Sequence, residues 1–205
     1  MRASVKFREN CANNSNGANN CAVDNPSCSR PATMACFKGR DFGASSTDPH
    51  TEAMEVGLEL DALINLALLA ASNSPNRIRQ VGAVILTCDG GEPIAACNTF
   101  PNGVADLDWR HEGDGRFVWM EHAERNAIFA AARQGRVLDG ATIASTFFPC
   151  IDCARAIVQT GIARLISPEP ALDDAVWGAS FLRSRTILEE GGVEMVLLGT
   201  LSSRG

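Results

Sequence analysis

Two short segments constrain this chain more than anything else in it: Glu121-His122-Ala123-Glu124 and Pro149-Cys150-Ile151-Asp152-Cys153, each at the head of a helix-like run. Cys150 and Cys153 stand three apart, so on a helix both thiols lie on one face and can grip one ion. Pro149 suits a helix start, where its fixed backbone angle fits and its missing N–H costs nothing. The partial positive charge of a helix N-terminus favours thiolates. The run Ala123 to Arg133, rich in Ala and with Ile128 and Phe129 expected on its apolar side, predicts the second helix. A fold that uses both segments has to bring two helix ends to one point.

The residue types say what that point can do. His122, Cys150 and Cys153 are the number and kind of ligand that a hydrolytic zinc takes, with the fourth position left to water. Glu124 is not expected to ligate, because a fourth protein ligand would close the site; its expected task is proton transfer. Neither segment is specific alone, since Cys-x-x-Cys also occurs in structural zinc modules and redox sites. The bland alternative is a structural site completed by Cys88, Cys97 or His111, which leaves Glu124 without a task.

His-x-Glu followed by Pro-Cys-x-x-Cys, each opening a helix, resembles the zinc-dependent cytidine and nucleotide deaminases from about Arg77 to Ile166. Within that superfamily, Asn98-Thr99-Phe100-Pro101-Asn102-Gly103-Val104 is similar to the Asn-Gly-x-Pro-x-Gly loop of the deoxycytidylate deaminase branch. His122 to Ile128, Cys153 to Ile157 and Gln159 to Ile162 are similar to that branch again. The resemblance implies one catalytic Zn2+ held by His122, Cys150 and Cys153, with Glu124 as the catalytic proton carrier. It assigns Asn98 to the substrate sugar or base and sets the backbone of Ala123 against the pyrimidine edge. Two departures stand out. Thr99 replaces the branch's Gly, and Ala144 stands where relatives commonly carry Tyr, in a chain with no Tyr at all. Aromatic packing over the base is therefore expected from Phe148, with Phe147 and Phe100 as further candidates.

The reaction implied is hydrolytic deamination of a cytosine-type ring, first of all dCMP to dUMP with release of ammonia. The alternatives are the same chemistry on another nucleoside, nucleobase or modified heterocycle, and a catalytically silent zinc-binding subunit, against which the intact Glu124 speaks. Arg110 and Arg116, in the long loop Val104 to Met120, are candidate phosphate partners. That loop is expected to act as a lid or to dock a neighbouring subunit, and its His111 is expected at the surface. By the same resemblance the protein is expected to be a homo-oligomer acting on a small nucleotide or heterocycle.

Composition narrows the partners. With 45% hydrophobic and 20% charged residues, a net charge of -6 and no apolar run long enough to span a bilayer, the chain reads as a cytoplasmic enzyme that binds neither membrane nor polynucleotide. From Met54 onward it has no Lys, although a few Arg can still be focused on a small anion. Cys88 and Cys97 are expected to be reduced thiols.

Residues 1–53 read as a disordered, Asn-rich segment in which Cys11, Cys21, Cys28 and Cys36 form no close pair. Met34 or Met54 is a candidate natural start, because the folded pattern of the deaminase domain, 54–205, opens almost at Met54. Helical spacing runs through Leu60, Leu63, Ile64, Ala67, Leu68 and Ala71, ending near Asn73-Ser74-Pro75. Val81 to Thr87 and Pro93 to Cys97 read as a hairpin about Asp89-Gly90-Gly91. Strands at Thr142 to Thr146, Arg164 to Ser167 and Val193 to Leu198 alternate with the two metal-site helices and a last helix from Asp173 to Glu190. The apolar stripe Val176, Phe181 and Leu188 serves either the core or an interface. Strands joined through helices imply parallel pairing, and the hairpin adds an antiparallel edge. The expected class is α/β, a three-layer α/β/α cytidine-deaminase-like fold with a mixed five-stranded sheet between helices.

Overall fold

The computed structural model describes residues 49–199, with side chains from Leu60 onward. The disorder expected for residues 1–53 and the candidate start at Met34 fall outside that range up to residue 48, whereas Met54, the other candidate start, lies within α1. Within it the chain runs α1 (Pro49–Ala71), β1 (Gly82–Leu86), β2 (Ile94–Cys97), a 3-10 turn (Asp108–Arg110), α2 (Gly115–Trp119), α3 (Ala123–Arg133), β3 (Thr142–Ser145), α4 (Ile151–Gln159), β4 (Arg164–Pro168), α5 (Gly178–Glu190) and β5 (Glu194–Leu198).

The five strands form one sheet in the order β2-β1-β3-β4-β5. The hairpin partner β1 pairs antiparallel with both β2 and β3, while β3, β4 and β5 run parallel. This is the expected mixed sheet. The crossovers through α4 and α5 make the parallel half, and the short link after β1 makes the antiparallel edge.

Both faces of the sheet are covered, which is why the central strands read as continuous apolar runs rather than as alternation. One face carries α1, whose Ile64 packs with Ala144 and Ile166. The other carries α3, α4 and α5, where Ala127, Ile128 and Ala131 meet Ile143, Ile157, Leu165, Phe181 and Leu188. Close approach sets the α1 side. A Cβ on Gly82 would stand 1.9 Å from the carbonyl oxygen of Ala67 and 2.5 Å from the nitrogen of Ala71, so β1 meets α1 backbone to backbone.

Several expectations are corrected. Phe129 is not on the apolar side of α3 but 49% exposed, because one residue past Ile128 turns the side chain about 100° off the buried stripe. The last helix starts at Gly178 rather than Asp173. Asp174 Oδ1 accepts the N–H groups of Val176 and Trp177, both at 2.9 Å, and holds 174–177 as a turn. Of the stripe Val176, Phe181 and Leu188, the last two belong to the core and Val176 is exposed. Cys97 is a free thiol as expected, whereas Cys88 is disulfide-bonded. The loop Val104 to Met120 is not irregular throughout, since it holds the 3-10 turn and α2. His111 is not at the surface: its side chain is 5% exposed, with Nε2 at 2.5 Å from Asp106 Oδ1 and its ring edge-on to Phe100. No helix among the described residues is long and apolar enough to cross a membrane.

Candidate active site

The two signature segments do meet, and each does so through its helix cap. His122 is the N-cap of α3 and Cys150 the N-cap of α4, both with extended backbone and neither using its side chain to cap. The side chains are thus turned away from their own helices and toward each other. Cys153, one turn into α4, completes the group. His122 Nδ1 lies 3.3 Å from Cys150 Sγ and 3.5 Å from Cys153 Sγ. Ligands placed tetrahedrally at about 2.0–2.3 Å from one ion stand roughly 3.3–3.8 Å apart, so the trio has the spacing and the donor set of a zinc site with one open position. It is the one cluster of three or more His, Cys, Asp or Glu side chains found among the described residues, and Cys97 and His111 do not belong to it. That counts against the closed structural site.

Electrostatics agree with a site built for a cation. Cys150 is pulled down to about 4, first by its hydrogen bond from the Cys153 thiol and then by His122, while Cys153 is pushed well up by the same bond and by burial. Without metal the two thiols therefore share one proton. His122 is raised, chiefly by its hydrogen bond to Cys150.

Glu124 sits beside the trio in the first turn of α3, 3% exposed. Its Oε1 accepts a hydrogen bond from Ser145 Oγ at 3.4 Å, and its Oε2 one from Cys153 Sγ at 3.5 Å. Burial raises its pKa, with His122 opposing. A carboxyl that is buried, raised above the usual carboxylate range and placed next to a metal cluster is set to take up and release a proton, as an acid–base group must.

A cleft opens over these groups, with about 730 Å3 of empty space including its open mouth. Asn98, Ala123, Phe147 and Phe148 all line it. Ala123 is fully buried, and as the first residue of α3 its N–H has no partner within the helix. Phe148 is 1% exposed and packs edge-on against Phe181. Asn98 is held hard by the scaffold. Its Oδ1 accepts from Val81 N at 2.8 Å and Ser74 Oγ at 2.7 Å, and its Nδ2 donates to the Arg79 carbonyl at 3.0 Å.

Other predicted partners fall elsewhere. Phe100 is buried outside the cleft lining. Arg110 is likewise outside it, donating to the Ala105 carbonyl and lying 4.2 Å over the Trp119 ring. Arg116 does line the cleft.

Sequence reasoning missed Asn76, Arg79, Phe117 and Trp177, which also line the cleft. Trp177 packs edge-on to His122 at 5.8 Å and to Phe117 at 5.7 Å, so the aromatic wall comes from the β4–α5 link and α2 rather than from β3. The one available signal was Asp174, three residues before Trp177, which as a turn former marks where the helix pattern breaks.

The comparisons agree with this geometry. The family described as "Cytidine and deoxycytidylate deaminase zinc-binding region" matches residues 59–168. An "Uncharacterized deaminase in luxG 3'region" of Aliivibrio fischeri is 37% identical over 134 residues, which is 65% of this chain and 88% of that protein. The deoxycytidylate deaminase of Mus musculus is 33% identical over 107 residues, 49% of this chain and 59% of that one. Among solved structures, the dCMP deaminase from the cyanophage S-TIM5 in apo form superposes with a TM-score of 0.54 at 22% identity, covering 74% of this chain and all of that one, a likeness of fold. With a family match over more than half its length and a site of the matching donor set, this chain belongs to the cytidine and deoxycytidylate deaminase family of zinc-dependent enzymes.

Proposed function

We propose that the protein deaminates dCMP to dUMP, with His122, Cys150 and Cys153 as zinc ligands and Glu124 as the catalytic proton carrier. The observation that carries this reading is the buried carboxyl of Glu124 beside the three-ligand cluster, at the bottom of a cleft whose wall bears Arg79 and Arg116. The cytosine ring is taken by the aromatic end and the phosphate by the cations. Relatives named deoxycytidylate deaminases support the same substrate.

Zinc, when bound, supplies a Lewis acid that makes water nucleophilic at neutral pH. The remaining chemistry falls to the chain. Glu124 accepts one proton of the attacking water and delivers it to the ring nitrogen, then takes the second from the hydroxyl now on the ring carbon and passes it to the amine, so that the C=O forms as the C–N bond breaks and ammonia leaves. The free N–H at Ala123 donates to the ring carbonyl, Phe148 and Trp177 shut water out of the ring end, and the remaining N–H of Asn98 faces the sugar. A homo-oligomer is part of the proposal, checked by sedimentation of the purified protein.

The second reading keeps the chemistry and changes the ring. What favours it is Asn98, whose carbonyl oxygen is already taken by Val81 and Ser74, leaving less of the side chain for substrate than the loop pattern promises. Ammonia release by the zinc-loaded protein from dCMP, CMP, deoxycytidine, cytosine, adenine and guanine separates the two, with Glu124→Gln as the blank. Turnover led by dCMP is expected; turnover confined to another ring would replace the substrate and keep the mechanism.

A further inference from the structure

Among the cations of the cleft, Arg79 is the one the fold takes most trouble to place. It lies in the link between α1 and β1, and two buried side chains clamp its backbone. Its N–H donates to Asn76 Oδ1 at 3.0 Å, and its carbonyl accepts from Asn98 Nδ2 at 3.0 Å. The guanidinium lies 4.3 Å over the centre of the Phe147 ring and 3.6 Å from Asp174 Oδ2. Arg79 and Phe147 both line the cleft that ends at His122 and Glu124.

An ion pair of 3.6 Å is loose, and Arg79 is 44% exposed, so the pair contributes little to stability. The guanidinium offers five donors in a planar fork, of which one loose partner leaves most unused. That fork matches phosphate oxygens two at a time, and a phosphate carries more charge than the carboxylate it would displace. Stacking on Phe147 keeps the fork aimed while its partner changes. Arg116 lacks such a clamp. It sits on the five-residue helix α2, with its guanidinium folded 4.5 Å over Phe117 of the same helix.

We propose that Arg79 is the specificity-determining residue that reads a 5′-phosphate on the substrate, with Asp174 as its counter-ion until that phosphate arrives. This rests on the nucleotide reading given above. The same Asp174 that pairs with Arg79 also holds the turn bearing Trp177, and Trp177 packs on His122. One short link therefore touches both ends of the substrate, the phosphate through its counter-ion and the ring through its indole.

The test is kcat/KM of the zinc-loaded full chain for dCMP and for deoxycytidine, in the wild type, Arg79→Gln and Arg79→Lys, with dUMP and deoxyuridine as inhibitors. Arg79→Gln is expected to lower kcat/KM for dCMP about 100-fold and to leave deoxycytidine within about threefold, and Arg79→Lys to recover part of the loss without the bidentate geometry. Inhibition by dUMP weakens in parallel, and inhibition by deoxyuridine does not. An equal loss on both substrates, or an unchanged ratio between them, overturns the assignment of Arg79 and leaves the dCMP reading standing if the wild type prefers dCMP. A wild type that prefers a different 5′-nucleotide, and loses that preference in Arg79→Gln, upholds Arg79 and removes dCMP. A wild type that prefers the unphosphorylated ring removes both.

Discussion

Ser145 Oγ lies 3.4 Å from Glu124 Oε1, joining the last residue of β3 to the first turn of α3. Ser145 is fully buried and Glu124 nearly so. A buried hydroxyl on the central strand, aimed at a carboxyl, fixes the rotation of the group that is to move protons. Ser145→Ala should lower kcat on the order of tenfold by loosening that aim, with KM and zinc content little changed. Steady-state kinetics and metal analysis of the variant decide it, and Ser145→Thr should restore part of the rate.

Glu124→Gln keeps the shape and removes the proposed proton carrier. The expected loss in kcat is about 10²- to 10⁴-fold, with substrate binding and zinc content retained. A variant that loses zinc along with activity would instead make Glu124 a part of the metal site.

Zinc binding should strengthen as pH rises. In the metal-free protein the proton shared by Cys150 and Cys153 rests on Cys153, whose thiol is raised, and His122 is raised as well. Zinc has to displace these protons, so acid opposes it. With one thiol proton released, affinity should climb roughly tenfold per pH unit, and more steeply wherever His122 is also protonated, a range that its upward shift extends. Competition against a chromophoric chelator at several pH values measures the slope, and a flat profile would contradict the shared proton.

Much of the fold was legible because its signals are local. The hairpin announced itself through Val81 to Thr87 and Asp89-Gly90-Gly91, and α3 and α4 through their signature residues. What stayed hidden depends on which distant segments meet. Arg79 and Trp177 carry no motif, and only the packing of the α1–β1 link and the β4–α5 link over the caps of α3 and α4 brings them to the cleft. Phe100, two residues after Asn98, points instead toward His111. The role of Asp174 was masked by the helical pattern that runs on to Glu190, which hid a turn held by a single carboxylate oxygen.

The α1 side of the sheet offers a stability test remote from the chemistry. Gly82→Ala drives a methyl group into the backbone of α1 at Ala67, where nothing flexible can give way. The variant should lose at least ~2 kcal/mol, and its melting temperature should fall by roughly 4–8 °C. The zinc site, built on the other face, should keep its affinity in the fraction that remains folded.

The most direct measurement of the central claim is turnover of dCMP by the zinc-loaded protein in oxygen-labelled water, with product followed by mass and ammonia counted. The account predicts dUMP carrying one labelled oxygen, one ammonia per dUMP, and neither from the chelator-stripped protein or from Glu124→Gln. Unchanged turnover after zinc removal, or in Glu124→Gln, would contradict it.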